Sequence, residues 1–155
     1  MSGKRKTAKL SVELIAEECV AVRLRVLARA VSKVYNRALR PHGLTVSQMN
    51  ILVAVSRLGD AKPQDVCRIL HLEKSSLSRD VERMRAQGWL ESLPGEDRRT
   101  GLLRVARSGM TLLQKTFPAW DQAQRQAKAL LGEKDIASLG RAVKALRSTK
   151  GTSAI

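Results

Sequence analysis

The apolar period of this chain changes twice between Thr45 and Leu113, and that change restricts the fold more than any other feature. In the first stretch, apolar residues recur at helical steps through Met49, Ile51, Leu52, Val55 and Leu58. After Gly88 the spacing becomes strand-like, in Trp89-Leu-Glu-Ser-Leu93 and again in Leu102-Leu-Arg-Val105. Pro94-Gly-Glu-Asp-Arg-Arg-Thr-Gly101 between them is rich in turn residues, so the pair predicts a hairpin with a long charged tip. From about Ala106 helical spacing resumes.

The punctuation before the hairpin is equally specific. Thr45-Val-Ser-Gln48 has the form of a capping box, with Thr45 as N-cap and Gln48 at N3. Gly59-Asp60 stops that helix, and Pro63 fits the first position of the next, which is short and ends near Leu70. Residues 73–87 predict a third helix, held by the narrow stripe Leu77, Val81 and Met84, with Gly88 in the left-handed position past its end. Helix, short helix, helix, hairpin is the order of a winged helix-turn-helix, and residues 45–107 are assigned to that lobe. The fold class is mainly α with a small β-hairpin wing, plus a helical dimerisation region.

The flanks supply that region. Residues 1–9 read as a basic, flexible arm, and residues 10–44 as a long first helix ended by Pro41 and Gly43. Val20, Leu24, Leu27, Val31, Val34 and Ala38 form one apolar stripe along it. So long a stripe needs a long partner, which a bundle or a homodimer provides. Residues 108–147 read as two more dimerisation helices, the first kinked at Pro118 and ended at Gly132, the second carrying Ile136, Leu139, Val143 and Leu146. Residues 148–155 are expected to fray.

Charge identifies the class of partner. The chain of 155 residues carries a formal net charge of +15, which points to a polyanion, double-stranded DNA first. Aromatics are only 3%, too few for stacking single-stranded bases. The excess does not locate the contact: residues 62–107 hold ten basic and seven acidic side chains, a net of only +3. Placement does. Opposite the Leu77–Met84 stripe, the third helix offers Lys74, Ser75, Ser76, Ser78, Arg79 and Arg83. Short hydroxyls allow close approach to a duplex, and Arg79 can read a guanine edge. Arg98 and Arg99 at the hairpin tip suit an adjacent minor groove.

Other classes have little support. There is no Gly-rich phosphate loop and no nucleophile elbow, and two histidines make no triad, so no enzyme and no cofactor are expected. Cys67 and His71 are spaced as metal ligands on a helix but have no third ligand nearby, so Cys67 is assigned to the core and no metal site is expected. No apolar run approaches a bilayer span or a signal core, and two distant cysteines make no disulfide framework, so a cytoplasmic protein without membrane attachment is expected.

Leu72-Glu-Lys-Ser-Ser-Leu-Ser-Arg79, Met84-Arg-Ala-Gln-Gly-Trp-Leu90 and Glu96-Asp-Arg-Arg99 together resemble the multiple-antibiotic-resistance regulator (MarR) family, and the resemblance runs from about Cys19 to Leu146. Asp97 and Arg99 match the family's Asp-x-Arg wing. The resemblance implies that Arg99 reaches the minor groove while Asp97 holds it. It implies a homodimeric transcriptional regulator, more a repressor than an activator, on a pseudo-palindromic operator. It implies release by a small phenolic or acidic ligand near Tyr35 and His42, or, as an alternative, by oxidation of Cys19. A non-specific architectural DNA binder is the rival reading. Two departures matter. Glu73 stands where relatives carry Ser or Asp, a weaker cap. Val105-Ala106 replaces a capping Leu-Thr pair, so Ser108 is expected to take over the cap, beside a less rigid Gly109.

Overall fold

The computed structural model of the chain describes residues 11–95 and 101–149. Residues 11–18 are helical, and α1 follows over Val20–Leu39. A 3₁₀ turn at Arg40–His42 leads to α2 (Val46–Leu58), α3 (Pro63–Leu70) and α4 (Lys74–Ala86). The hairpin β1 (Leu90–Leu93) and β2 (Leu102–Val105) is followed by α5 (Arg107–Leu131) and α6 (Glu133–Thr149). None of the described helices is long and apolar enough to cross a membrane.

Local chemistry sets most boundaries as the sequence predicts. Thr45 Oγ1 accepts from the Gln48 amide at 3.2 Å while Gln48 Oε1 accepts from the Thr45 amide at 3.1 Å, completing the capping box. Asn36 of α1 adds a cap from outside, its Oδ1 accepting from the Val46 amide at 2.8 Å. Gly59 ends α2 at φ 78°, and Pro63 opens α3. Gly88 adopts φ 72° past the end of α4. The strands pair antiparallel, Leu90 opposite Val105 and Leu93 opposite Leu102.

Three expectations are corrected. The first helix is not continuous: Cys19 has extended backbone at ψ 110°, between two helical segments. Arg23 turns back across the break, donating to the Glu17 carbonyl and standing 3.5 Å from the Glu18 carboxylate, so it satisfies an orphan carbonyl at the end of the first segment. Ser108 does not cap α5. The N-cap is Ala106 without a side-chain bond, and Ser108 Oγ instead donates to the Gly88 carbonyl. α6 extends past residue 147 to Thr149, where Ser148 Oγ bonds back to the Lys144 carbonyl rather than fraying.

The core belongs to the lobe. Leu39, Leu44, Ile51, Leu52, Val55, Val66, Leu77, Met84, Leu90 and Leu103 form one buried cluster drawn from α1 through β2. Cys67 and Trp89 pack against it half-buried, as expected for a core thiol. The sheet has one further tie. Ala61, in the turn between α2 and α3, exchanges both backbone bonds with Leu103 at 2.9 and 2.8 Å. Asp60 beside it receives two hydrogen bonds from the Arg104 guanidinium, at 2.7 and 2.6 Å. The helical ends are different. α1 packs chiefly against α5 through the small buried Ala123 and Ala127. The upper part of its predicted stripe remains open, with Val20 66% and Leu24 53% exposed.

Candidate nucleic-acid interface

α4 is held to the lobe by one narrow line of contacts. Leu77 and Met84 are buried and Val81 is half-buried against the same cluster. At 100° per residue, Ser75, Arg79, Glu82, Arg83 and Ala86 fall on the opposite side, and all are exposed. Lys74 and Ser78 flank that face and are also exposed. Ser76 departs from the group, lying half-buried toward the lobe. The ion pairs of the described residues all lie elsewhere, leaving Arg79, Arg83 and Lys74 uncommitted to acidic neighbours among those residues.

The start of α4 carries the weak cap expected of Glu73. Its side chain makes no cap bond, and the first turn closes only through the Ser76 and Leu77 amides on the Glu73 carbonyl, at 3.0 and 3.1 Å. No acidic residue lies in the first turn. Glu73 at the N-cap is the acid nearest the positive end of the helix dipole, and Ser75 and Ser78 stand exposed close to it.

A residue pair that pattern reading missed fixes the angle of α4. Ser47, in the first turn of α2, donates to the Asp80 carboxylate at 3.0 Å. Both are half-buried, and Asp80 stands beside the apolar stripe rather than opposite it. In the sequence Asp80 is one acid among many; only its helical angle, adjacent to Leu77, could have marked it as inward-facing. On the hairpin, Asp97, Arg98 and Arg99 lie outside the described residues.

The expected effector residues separate. Tyr35 lines a cavity of about 400 Å³ between α1, α2 and α5, with Ser32, Val46, Met49 and Trp120. Its hydroxyl donates to Gln124 of α5, and burial raises the phenol pKa. His42 sits half-buried in the 3₁₀ turn and is not among the residues lining that cavity. Cys19 is half-buried at the helix break.

Comparison with known proteins agrees with this geometry. A family model described as MarR family matches residues 42–100. The HTH-type transcriptional regulator YwoH of Bacillus subtilis is 30% identical over 80 residues, covering 52% of this chain and 58% of YwoH. The transcriptional regulator MosR of M. tuberculosis, solved in complex with DNA, superposes with a TM-score of 0.69 at 32% identity, over 84% of this chain and 99% of MosR. A mutant MarR of E. coli solved with operator DNA has the same fold, with a TM-score of 0.75 at 18% identity over 86% of this chain and 96% of its own. The family model and these likenesses show that the chain belongs to the MarR family of transcription regulators.

Proposed function

We propose that the chain is a homodimeric repressor that reads a pseudo-palindromic operator in double-stranded DNA through α4. The observation that carries this reading is the uncommitted Ser75, Arg79 and Arg83 face of a helix whose other side is anchored in the lobe core. The likeness to MosR, itself solved with DNA, supports it. Exposed apolar residues on the helical ends, among them Leu24, Leu130 and Leu146, support a second copy as their partner. Two such lobes would enter successive major grooves about 34 Å apart. A small phenolic or acidic ligand in the Tyr35 cavity would favour a dimer whose lobe spacing no longer matches the duplex.

Footprinting on the DNA flanking the gene, with wild type and Arg79→Ala, tests the proposal. The expected result is a two-fold symmetric protected site, with Arg79→Ala losing discrimination against random duplex more than total affinity. Equal binding to promoter and random DNA with a steep salt dependence would instead describe an architectural binder.

A further inference from the structure

A second cavity is larger than the one of about 400 Å³ lined by Tyr35. It lies between α2, the end of α3 and the end of α6, and has a volume of about 610 Å³, within the range of small-molecule sites. Two features define its chemistry. Val53, Leu58 and Ile69 give it apolar walls, although they are 43%, 41% and 37% exposed and pack on nothing that hides them. Arg57 and Arg147 enter from opposite elements, and neither has an acidic partner among the described residues. Arg68 also lines the cavity, but it is already committed to Asp65 at 2.8 Å.

From this arrangement we infer a second ligand site, for an amphipathic organic acid whose carboxylate is held by Arg57 and Arg147 while its apolar body covers Val53, Leu58 and Ile69. Two like charges facing one cavity repel until an anion separates them, and guanidinium forks match a carboxylate bidentately. The apolar walls speak against a DNA phosphate as the occupant, since a backbone phosphate would leave them uncovered. Occupancy would bridge α6 of the helical ends to α2 and α3 of the lobe. It would also touch His71, the left-handed residue at φ 52° that turns α3 into α4.

The test is calorimetric titration of the full-length protein, without DNA, with 2-naphthoate and with neutral 2-naphthamide. It therefore stands or falls independently of operator binding. Wild type is expected to bind the acid and not the amide. Arg57→Gln and Arg147→Gln should each weaken binding by about tenfold or more, as loss of a charge-assisted hydrogen bond implies. Arg57→Lys, which keeps the charge without the fork, should lose less. Ala28 lines the Tyr35 cavity, and Ala28→Phe, which obstructs it, should leave the arginine-dependent binding unchanged. All these substitutions are at exposed positions, and far-ultraviolet circular dichroism checks the fold of each. No binding of 2-naphthoate at millimolar concentration would overturn the inference. So would binding that survives both arginine substitutions and is lost in Ala28→Phe. If Arg57→Gln leaves 2-naphthoate binding unchanged, the basic wall holds no carboxylate and the inference is wrong.

Discussion

Gly109 lies directly beneath the carbonyl of Trp89, so close that a β-carbon there would stand 2.4 Å from that oxygen and 2.9 Å from a Val105 methyl. The first turn of α5 is thereby pressed against the base of the hairpin, with the Ala106 amide donating to the same Trp89 carbonyl at 3.0 Å. Glycine ordinarily weakens a helix by about 1 kcal/mol relative to alanine. Here the close approach reverses the preference. Gly109→Ala should lower unfolding free energy by about 1–3 kcal/mol, as overpacking does, read by urea titration. A stabilised variant would show that the hairpin and α5 are less tightly joined than this.

The Ser47–Asp80 hydrogen bond should matter for aim more than for existence of the fold. Ser47→Ala removes one bond to a half-buried carboxylate, a loss of about 1–2 kcal/mol in stability. Operator affinity should fall along with it, because α4 loses the tie that sets its angle. Unchanged DNA affinity in a destabilised Ser47→Ala protein would separate the two roles.

Asp60 and Arg104 predict a pH dependence. The Arg104 hydrogen bonds hold the Asp60 carboxyl below its ordinary value. A lowered folded-state pKa gives stability that is fully present above the unfolded carboxylate value of about 4, and that is lost as pH falls through the folded value. Wild type should therefore exceed Asp60→Asn in stability at neutral pH, with the gap closing in acid. Both side chains are solvent-exposed, so added salt should shrink the gap as well. A gap that widens below pH 4 would contradict the pairing.

Tyr35 is the one tyrosine of the chain, so its titration has a single source. Burial raises its phenol pKa, and the native ultraviolet midpoint should lie above the ordinary value of about 10. In denaturant it should return to that value. A raised folded value contributes stability below the unfolded pKa and loses it as pH rises through the folded one. A native midpoint at or below 10 would mean that the cavity beside Tyr35 is open to water.

The exposed apolar ends predict concentration-dependent assembly. Light scattering should give about twice the chain mass of 17.1 kDa, and Leu24→Glu should reduce it to the single-chain value while leaving helicity intact. A wild-type monomer at micromolar concentration would remove the dimer from the functional reading.

Most of the lobe was legible because its signals are local. The Thr45–Gln48 box, Pro63, Gly88 and the Leu77–Met84 stripe each specify a boundary or a face from a few neighbouring residues. What was not legible depends on contacts remote in sequence. Ser47 meets Asp80 and Gly109 meets Trp89 only once the chain has folded back, and Ser108 gives up its capping role because the Gly88 carbonyl lies within reach. Cys19 was hidden for another reason: no proline or glycine marks the break, which Arg23 bridges from the following turn. The exposed face of α4 was read well except for Ser76, whose angle places it nearer Asp80 than Arg79.

The paired backbone bonds between Ala61 and Leu103 have a consequence for control. They stitch the hairpin to the corner between α2 and α3, while α4 is fastened to the same body by Leu77, Met84 and Ser47. Helix and wing are therefore mounted on one stiff plate, with little play between them. In the proposed dimer an effector would gain little by distorting that plate. Its leverage would lie at the joints with α1, α5 and α6, where a small rotation would change the distance between two intact reading heads.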